Sequence, residues 1–173
     1  MTLPYGIVLR AASAQDMETI GELAVTAYVD GGHLSLDSPY TATLRDVRPR
    51  LHESVVLTTT EADELVASVA ALPHGHALAE ATEPGEWEFR YLAVRRDHWG
   101  KGLGRFLVDE VERRARSAGA NQVVLRVIDT NARARDLYEH LGYVHRPARD
   151  LRFTSDGPPE RLITLYLLAK PLR

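Results

Sequence analysis

The feature that most constrains the fold is a short turn in which glycine occupies every second position, from Gly100 to Gly104. An apolar strand pattern over residues 87–94 precedes this turn, and a helix pattern that includes Phe106 and Val111 follows it. Alternating glycines allow positive φ angles and a close approach of the backbone to a ligand. Their N–H groups and those of the helix start point to one spot, which suits a phosphate group. The sequence therefore predicts a strand, a phosphate-binding turn and a helix in succession.

The charge around the turn supports this interpretation, although two common nucleotide motifs do not fit. A dinucleotide fingerprint would place its last glycine at Arg105 or Leu107. A P-loop would need Ser or Thr after Lys101, where the chain has Gly102. The turn is nevertheless basic, with a local balance of +3 from Arg95, Arg96, Lys101, Arg105 and Asp97.

The hydrophobic spacing of the remaining chain predicts an α/β domain with a mixed sheet. Asp16 follows Ser13 by three positions, which resembles a capping box, and the helix behind it is expected to end near residue 28. Further helices are expected at 40–51, 106–117 and 132–141, strands at 7–10, 55–60, 65–72, 87–94, 122–128, 143–146 and 162–169, and a loop at 149–159. This order predicts a single domain, 1–173, in which about four helices flank a central sheet of six to seven strands, antiparallel early and with a parallel crossover late.

Composition excludes several classes of chemistry. The chain has no cysteine, which excludes disulfides, thiolate nucleophiles, cysteine zinc sites and iron–sulfur clusters. Its apolar runs are far shorter than the ~18 residues that span a bilayer, and residues 1–10 lack the layout of a signal peptide. His74 and His76 stand in a Pro/Gly loop without a third ligand nearby. We therefore expect a cytoplasmic protein with no metal and no membrane partner.

Charge is distributed unevenly along the chain. Residues 1–88 contain 4 basic and 14 acidic side chains, whereas residues 89–173 contain 17 basic and 10 acidic ones. This division indicates either two ligands of opposite sign or simply one acidic and one basic surface. A nucleic-acid partner is not expected, because the net charge is −3 and nucleic-acid binders are usually basic.

Three segments of the second half carry motifs in a fixed order. Residues 88–94 read Glu-Phe-Arg-Tyr-Leu-Ala-Val, a Glu-x-x-x-Leu-x-Val pattern, and residues 99–104 read Trp-Gly-Lys-Gly-Leu-Gly. The next helix contains Asn131, Ala134, Leu137, Tyr138, Gly142 and Tyr143. These segments resemble the GNAT superfamily of acetyl-CoA-dependent N-acetyltransferases. Its signature Arg/Gln-x-x-Gly-x-Gly/Ala has Trp99 at the first position here, and its Asn-x-x-Ala-x-x-Leu-Tyr-x-x-x-Gly-Phe motif ends in Tyr143.

The resemblance implies the GNAT fold, acetyl-CoA as co-substrate and a pyrophosphate held by the backbone of the glycine turn. It implies three catalytic groups: Glu88 as the base that deprotonates the amine, the N–H of Val94 as oxyanion donor, and Tyr138 as the acid for the departing thiolate. Glu86 lies on the same strand face as Glu88, and we expect it to be a solvated strand end. The implied cofactor-binding residues are Leu92, Val94, Trp99, Gly100, Lys101, Gly102, Leu103, Gly104, Arg105, Asn131 and Arg135.

Two of these assignments have an ordinary structural alternative. Asn131 is also a good helix N-cap, and both roles are compatible. Arg133 and Arg135 are candidates for the 3′-phosphate of CoA and equally for exposed helix charges. The family places its acceptor site beside the loop after the first helix, so the candidate acceptor residues are Asp30, His33 and Tyr40.

Three functions remain open at this stage. The chain acetylates a small-molecule amine, or it acetylates protein N-termini or lysines, or it is a CoA-binding sensor that has lost catalysis. The acidic first half favours a cationic amine, and the retained Glu88, Tyr138 and glycines favour an active enzyme over a sensor. A small-molecule amine is the acceptor that we predict. A sensor would bind CoA with hardly any turnover, and a protein-modifying enzyme would need peptide residues beside the amine. Homodimers are common for such folds, so a homodimer is the expected assembly.

Overall fold

The structure, a computed structural model, describes residues 6–59, 62–154 and 160–172. The described strands are β1 (Ile7–Ala11), β2 (Ser54–Thr59), β3 (Leu65–Pro73), β4 (Glu86–Val94), β5 (Gln122–Ile128), β6 (Val144–His145), β7 (Leu151–Thr154) and β8 (Leu162–Pro171). The described α-helices are α1 (Met17–Asp30), α2 (Tyr40–Arg45), α3 (Leu103–Ser117) and α4 (Ala132–His140).

These strands form one mixed sheet in the order β1-β2-β3-β4-β5-β8-β6, with β7 paired to β8 as well. Only β4 and β5 are parallel among the described strand pairs. The predicted mixed sheet with a late parallel crossover is therefore confirmed. The sheet has one strand more than predicted, because β7 lies within the predicted loop 149–159. Residues 155–159 of that loop lie outside the described residues.

Two predicted boundaries also differ. The helix predicted at 40–51 ends at Arg45 and is followed by a 3₁₀ helix, Arg48–Glu53. The physical reason is Pro49, which has no N–H to donate to the carbonyl of Arg45. The strand predicted at 55–60 ends at Thr59, and Thr60 lies outside the described residues.

Helices cover both faces of the sheet. On one face, here called the α1 face, Val25 of α1 packs near Leu72 and Tyr91. On the opposite face, here called the α3 face, Leu107 of α3 packs with Phe89. The two faces alternate along β4 from Trp87 to Arg90, as expected for a strand, and this alternation decides on which side Glu88 lies.

The N-terminal capping box is confirmed. The backbone N–H of Ser13 donates to Asp16 Oδ2 at 2.7 Å, and its hydroxyl donates to the same oxygen at 2.8 Å. Arg10 of β1 donates to both carboxylate oxygens of Asp16, at 2.7 and 2.8 Å. This arrangement fixes the start of α1 to the edge strand of the sheet.

Within the described ranges, no helix has the length and hydropathy needed to cross a membrane. The same part of the chain contains no group of three or more His, Asp or Glu side chains that could hold a metal ion. His74 contacts Thr82 Oγ1 through Nδ1 at 3.1 Å, and His76 Nδ1 accepts from the N–H of Leu78 at 3.1 Å.

Candidate active site

The centre of the candidate site is a gap between two neighbouring strands. β4 and β5 are paired only as far as Glu88 and Val124. Both strands nevertheless continue, β4 to Val94 and β5 to Ile128. The backbone beyond Glu88 therefore has no strand partner on its β5 side, and we call this opening the β4–β5 gap.

A β-bulge in β4 accompanies the gap. Between Arg90 and Ala93, β4 has one residue more than β3 opposite it. Tyr91 in this bulge has a φ of +58°, a conformation that bulky residues rarely adopt. It packs on the α1 face, whereas Leu92 and Val94 pack toward the α3 face. The bulge bends the strand and determines which side chains border the gap.

The glycine turn lies between the end of β4 and the start of α3. Gly100 and Gly102 have φ angles of +77° and +79°, which only glycine adopts readily. A Cβ built at Gly100 would meet no atom within 4 Å, so the turn leaves open space there. A Cβ at Gly104 would lie 3.7 Å from Leu137 and 3.8 Å from Val94, which places the start of α3 against α4 and β4.

Trp99 connects the turn to both neighbouring elements. Its indole Nε1 donates to the carbonyl of Val94 at 2.7 Å. The guanidinium of Arg133, at the start of α4, lies 4.4 Å from the centre of the Trp99 ring, a favourable cation–π geometry. Arg133 therefore lies beside the turn. Arg135 instead borders a separate groove with Tyr166.

The basic side chains around the turn divide into paired and unpaired ones. Arg95 binds Asp97 at 2.7 Å and also pairs with Glu64. Lys101 and Arg105 are exposed, and the described residues offer neither of them an ion pair. These two cations are therefore free to meet an anion at the turn.

Glu88 is buried beside the gap, with 1% of its surface exposed. Its neighbour Phe89 points to the α3 face, so Glu88 points to the α1 face. The carboxylate accepts the N–H of Ala81 at 2.9 Å and lies 3.8 Å from Arg90 Nε. Burial raises the pKa of Glu88, and the Ala81 N–H and the charges of Arg90 and Arg126 partly oppose this rise.

Glu86 is not the solvated strand end that the sequence predicts. It is 5% exposed and accepts hydrogen bonds from Arg149 at 2.8 and 3.0 Å and from Gln122 at 2.5 Å. Burial alone would raise its pKa, but the bonds from Arg149, the Glu83 N–H and Gln122 outweigh burial and lower it. Glu86 therefore has a structural ion pair, supplied by a residue far away in sequence.

Tyr138 is buried on the α3 face. Its ring makes edge contacts with Phe89 and Tyr143, with centroid distances of 5.5 and 6.2 Å. Burial raises its pKa, so the hydroxyl remains protonated over a wide pH range. Over the described ranges this hydroxyl has no hydrogen-bond partner, unlike that of Tyr143, which donates to Glu112 at 3.2 Å. Glu88 and Tyr138 thus lie on opposite faces of the sheet, on either side of the β4–β5 gap.

The loop between α1 and α2 reaches the start of α4. His33 Nδ1 contacts Thr130 Oγ1 at 3.1 Å. The next residue, Asn131, caps α4, because its Oδ1 accepts the N–H of Ala134 at 3.0 Å. This contact ties the α1–α2 loop to the residue just before the cap of α4.

The other two predicted acceptor residues lie on either side of this loop. Asp30 lines a cleft of about 720 Å³ between α1 and the end of β4, which Val94 and Trp99 also line. Tyr40 packs against Tyr28, with ring centroids 6.3 Å apart.

Sequence reasoning misses two basic residues that the structure places at the gap. Arg90 of β4 and Arg126 of β5 both lie near Glu88, since both charges act on its carboxylate. No local motif indicates them, because their proximity follows from the register between β4 and β5.

Comparisons with known proteins agree with this geometry. The profile of the Acetyltransferase (GNAT) family matches residues 18–143. No curated protein matches the chain significantly in sequence.

Solved structures show the same fold at low sequence identity. An acetyltransferase of the GNAT family from Staphylococcus aureus Mu50 has a TM-score of 0.71 at 11% identity, over 96% of this chain and 99% of that one. The ribosomal-protein-S18-alanine N-acetyltransferase from Escherichia coli has a TM-score of 0.69 at 19% identity, over 96% and 94%. PaiA N-acetyltransferase from Thermoplasma acidophilum, in complex with coenzyme A, has a TM-score of 0.72 at 16% identity, over 95% and 98%.

Proposed function

This chain belongs to the acetyltransferase (GNAT) family, and we propose that it transfers an acetyl group from acetyl-CoA to a primary amine of a small molecule. The amine attacks directly while both substrates are bound. The observation that carries the proposal is the β4–β5 gap, with the glycine turn at one end, Glu88 on the α1 face and Tyr138 on the α3 face. This arrangement offers one face to each substrate and a passage between them.

The residues around the turn fit a CoA pyrophosphate. The open space at Gly100 and the left-handed backbone at Gly100 and Gly102 allow close approach of phosphate oxygens to N–H groups. Lys101 and Arg105, which form no ion pair with the residues that the structure describes, supply positive charge, and Arg133 lies beside Trp99. When bound, acetyl-CoA supplies an acyl group activated as a thioester.

Glu88 is the proposed general base. A free alkyl amine has a pKa of about 10 and must lose a proton before it attacks. A carboxylate whose pKa is raised by burial accepts a proton more readily than an exposed one, directly or through a water molecule. Its position on the α1 face supports binding of the acceptor amine on that face.

The remaining two roles complete the proposed mechanism. The backbone N–H of Val94, at the end of the gap, stabilises the oxyanion, a contribution of ~3 kcal/mol for an aligned donor. Tyr138 donates its hydroxyl proton to the departing sulfur. The absence of a competing partner for this hydroxyl among the described residues supports that role.

A small-molecule acceptor fits the structure better than a folded protein. The His33–Thr130 contact joins the α1–α2 loop to the start of α4 across the acceptor side. We take this tie between the loop and α4 as support for a free amine over an extended peptide as the acceptor.

Isothermal titration calorimetry with acetyl-CoA, CoA and NADH tests the cofactor assignment first. We expect binding of both CoA species and none of NADH, followed by thiol release when free amines are added. Absence of binding by either CoA species would overturn the proposal. Thiol release with peptides alone would assign a protein acceptor instead. Binding without turnover, unaffected by Glu88→Gln, would indicate a sensor.

A further inference from the structure

Two guanidinium groups flank the proposed base on the acceptor side of the gap. The β4–β5 ladder ends with Glu88 opposite Val124. Arg90 follows Glu88 by two residues and Arg126 follows Val124 by two, so both arginines lie on the face of Glu88. The neighbours of Arg126, Leu125 and Val127, pack on the opposite, α3 face.

Arg126 is a partly buried cation to which the described residues offer no partner. Its Nε is shielded from solvent and has no hydrogen bond within the described part of the chain, nor does its guanidinium form an ion pair there. The charge of Arg126 acts on the nearby carboxylate of Glu88, but the two side chains form no hydrogen bond or ion pair. An uncompensated charge beside a core is costly, so a ligand that satisfies it gains a strong interaction.

Arg90 is held in place and still has donor capacity. Its Nη1 donates to the carbonyl of Leu78 at 2.8 Å and pairs with Glu80 at 3.0 Å. The guanidinium carbon Cζ of Arg90 lies 5.1 Å from the centre of the Tyr91 ring. Among the described residues, its Nη2 has no bond. Arg90 therefore presents a fixed donor on the same face as the guanidinium of Arg126, across the β4–β5 gap.

We infer that the acceptor is an amine that also carries a carboxylate a few bonds from its nitrogen, as in an amino acid. The inference rests on the proposed function and names its substrate class. Arg126, assisted by Arg90, binds the carboxylate, since guanidinium groups match carboxylates in shape and charge. The amine then lies toward Glu88. Although the first half of the chain is acidic, the charge beside Glu88 suits a molecule with both an ammonium and a carboxylate.

The test compares acceptors that differ in this carboxylate alone. L-methionine, L-phenylalanine and L-glutamate are each assayed against their 1-carboxamides by thiol release. The amine of an amide loses its proton more readily, so intrinsic reactivity favours the amide, and a preference for the acid reports recognition. The variants are Arg126→Gln, Arg126→Lys and, as a matched control, Arg152→Gln, an exposed strand arginine on β7.

We expect kcat/KM for at least one amino acid to exceed that for its amide by about tenfold or more. Arg126→Gln should raise the KM for that amino acid and bring the ratio near one. Arg126→Lys should restore part of the preference, and Arg152→Gln should leave it unchanged. The KM for acetyl-CoA and the melting temperature check that the variants are folded and bind cofactor.

Equal or better use of the amides by the wild-type protein would overturn the inference, as would a ratio that Arg126→Gln leaves unchanged. Failure to acetylate any amino acid would also overturn it. If uncarboxylated amines such as putrescine are then acetylated, the proposed function stands without this substrate class. If no amine is acetylated and acetyl-CoA does not bind, the proposed function fails as well.

Discussion

The indole Nε1 of Trp99 donates a hydrogen bond of 2.7 Å to the carbonyl oxygen of Val94, the last residue of β4. This bond closes the segment between them into a loop and fixes the start of the glycine turn relative to the gap. In the family signature this position is Arg or Gln. Here the indole gives the position a structural role, while Arg133, stacked on the ring, brings the positive charge.

Trp99→Phe should weaken cofactor binding by loosening this connection. The substitution keeps an aromatic ring and removes one hydrogen bond, which is worth about 1 kcal/mol. We expect the Kd of acetyl-CoA in calorimetry to rise about fivefold. Trp87→Phe is the matched control, since Trp87 lies at the opposite end of β4. Equal acetyl-CoA affinity in Trp99→Phe and wild type would contradict the role given to this bond.

Gly100→Ala should affect cofactor binding more than stability. Gly100 and Gly119 both have a φ of +77°, and a Cβ at either would meet no atom within 4 Å. Alanine at either position should therefore cost a similar ~1 kcal/mol of backbone strain. Only Gly100→Ala places a methyl group in the proposed pyrophosphate cradle, so only its Kd for acetyl-CoA should rise, by about tenfold or more. Similar affinities in the two variants would remove the turn as the phosphate site.

Glu88→Gln should abolish the acidic limb of the pH–rate profile. The base acts only when deprotonated, so wild-type kcat/KM should fall as the pH drops through a pKa raised above the usual glutamate value by burial. The Gln variant should lose about 100-fold in kcat and show a flat profile there. Glu86→Gln, on the same face of the same strand, should lower stability through the lost Arg149 pair and keep the limb. A retained limb in Glu88→Gln would assign the base elsewhere.

Asp16→Asn should destabilise the protein at neutral pH and not at low pH. The bidentate bond from Arg10, helped by the Ser13 N–H and hydroxyl, lowers the pKa of Asp16 from 3.8 to about 2. A depressed pKa stabilises the fold above the unfolded value of about 4, and the contribution is lost as the pH falls through about 2. Denaturant unfolding should show a cost of about 2 kcal/mol at pH 7 that shrinks below pH 4. Asp136→Asn, an exposed helix position, should show no such difference.

Much of this fold follows from local sequence, because its cause is local. The glycine turn, the capping box at Ser13 and the alternation along β4 each depend on residues close together in the chain. β7 has only four residues, all exposed. Its Leu-Arg-Phe-Thr alternation is too short to mark a strand beside the Gly and Pro residues that follow it in the sequence. Its strand geometry comes from pairing with β8.

The candidate site is less predictable than the fold for a related reason. The buried carboxylate of Glu86 is paired with Arg149, and two strands and two α-helices separate these residues in sequence. The pair of Arg90 and Arg126 depends on the register of β4 against β5. No spacing within one segment encodes either relationship, whereas the motif residues around the turn are contiguous and can be assigned directly.

Tyr138→Phe tests the role of the Tyr138 hydroxyl as the proposed acid while it keeps the packing of the ring. Because the Tyr138 hydroxyl lacks a hydrogen-bond partner among the described residues, its removal should leave the free energy of unfolding nearly unchanged. We expect kcat to fall more than about tenfold, with the acetyl-CoA Kd unaffected. Tyr143→Phe is the contrasting control, since its hydroxyl donates to Glu112 at 3.2 Å and that carboxylate also binds Lys170. The Tyr143→Phe variant should have a lower free energy of unfolding and an unchanged kcat. An unchanged kcat in Tyr138→Phe would exclude Tyr138 as the group that protonates the departing sulfur and leave it a core residue on the α3 face.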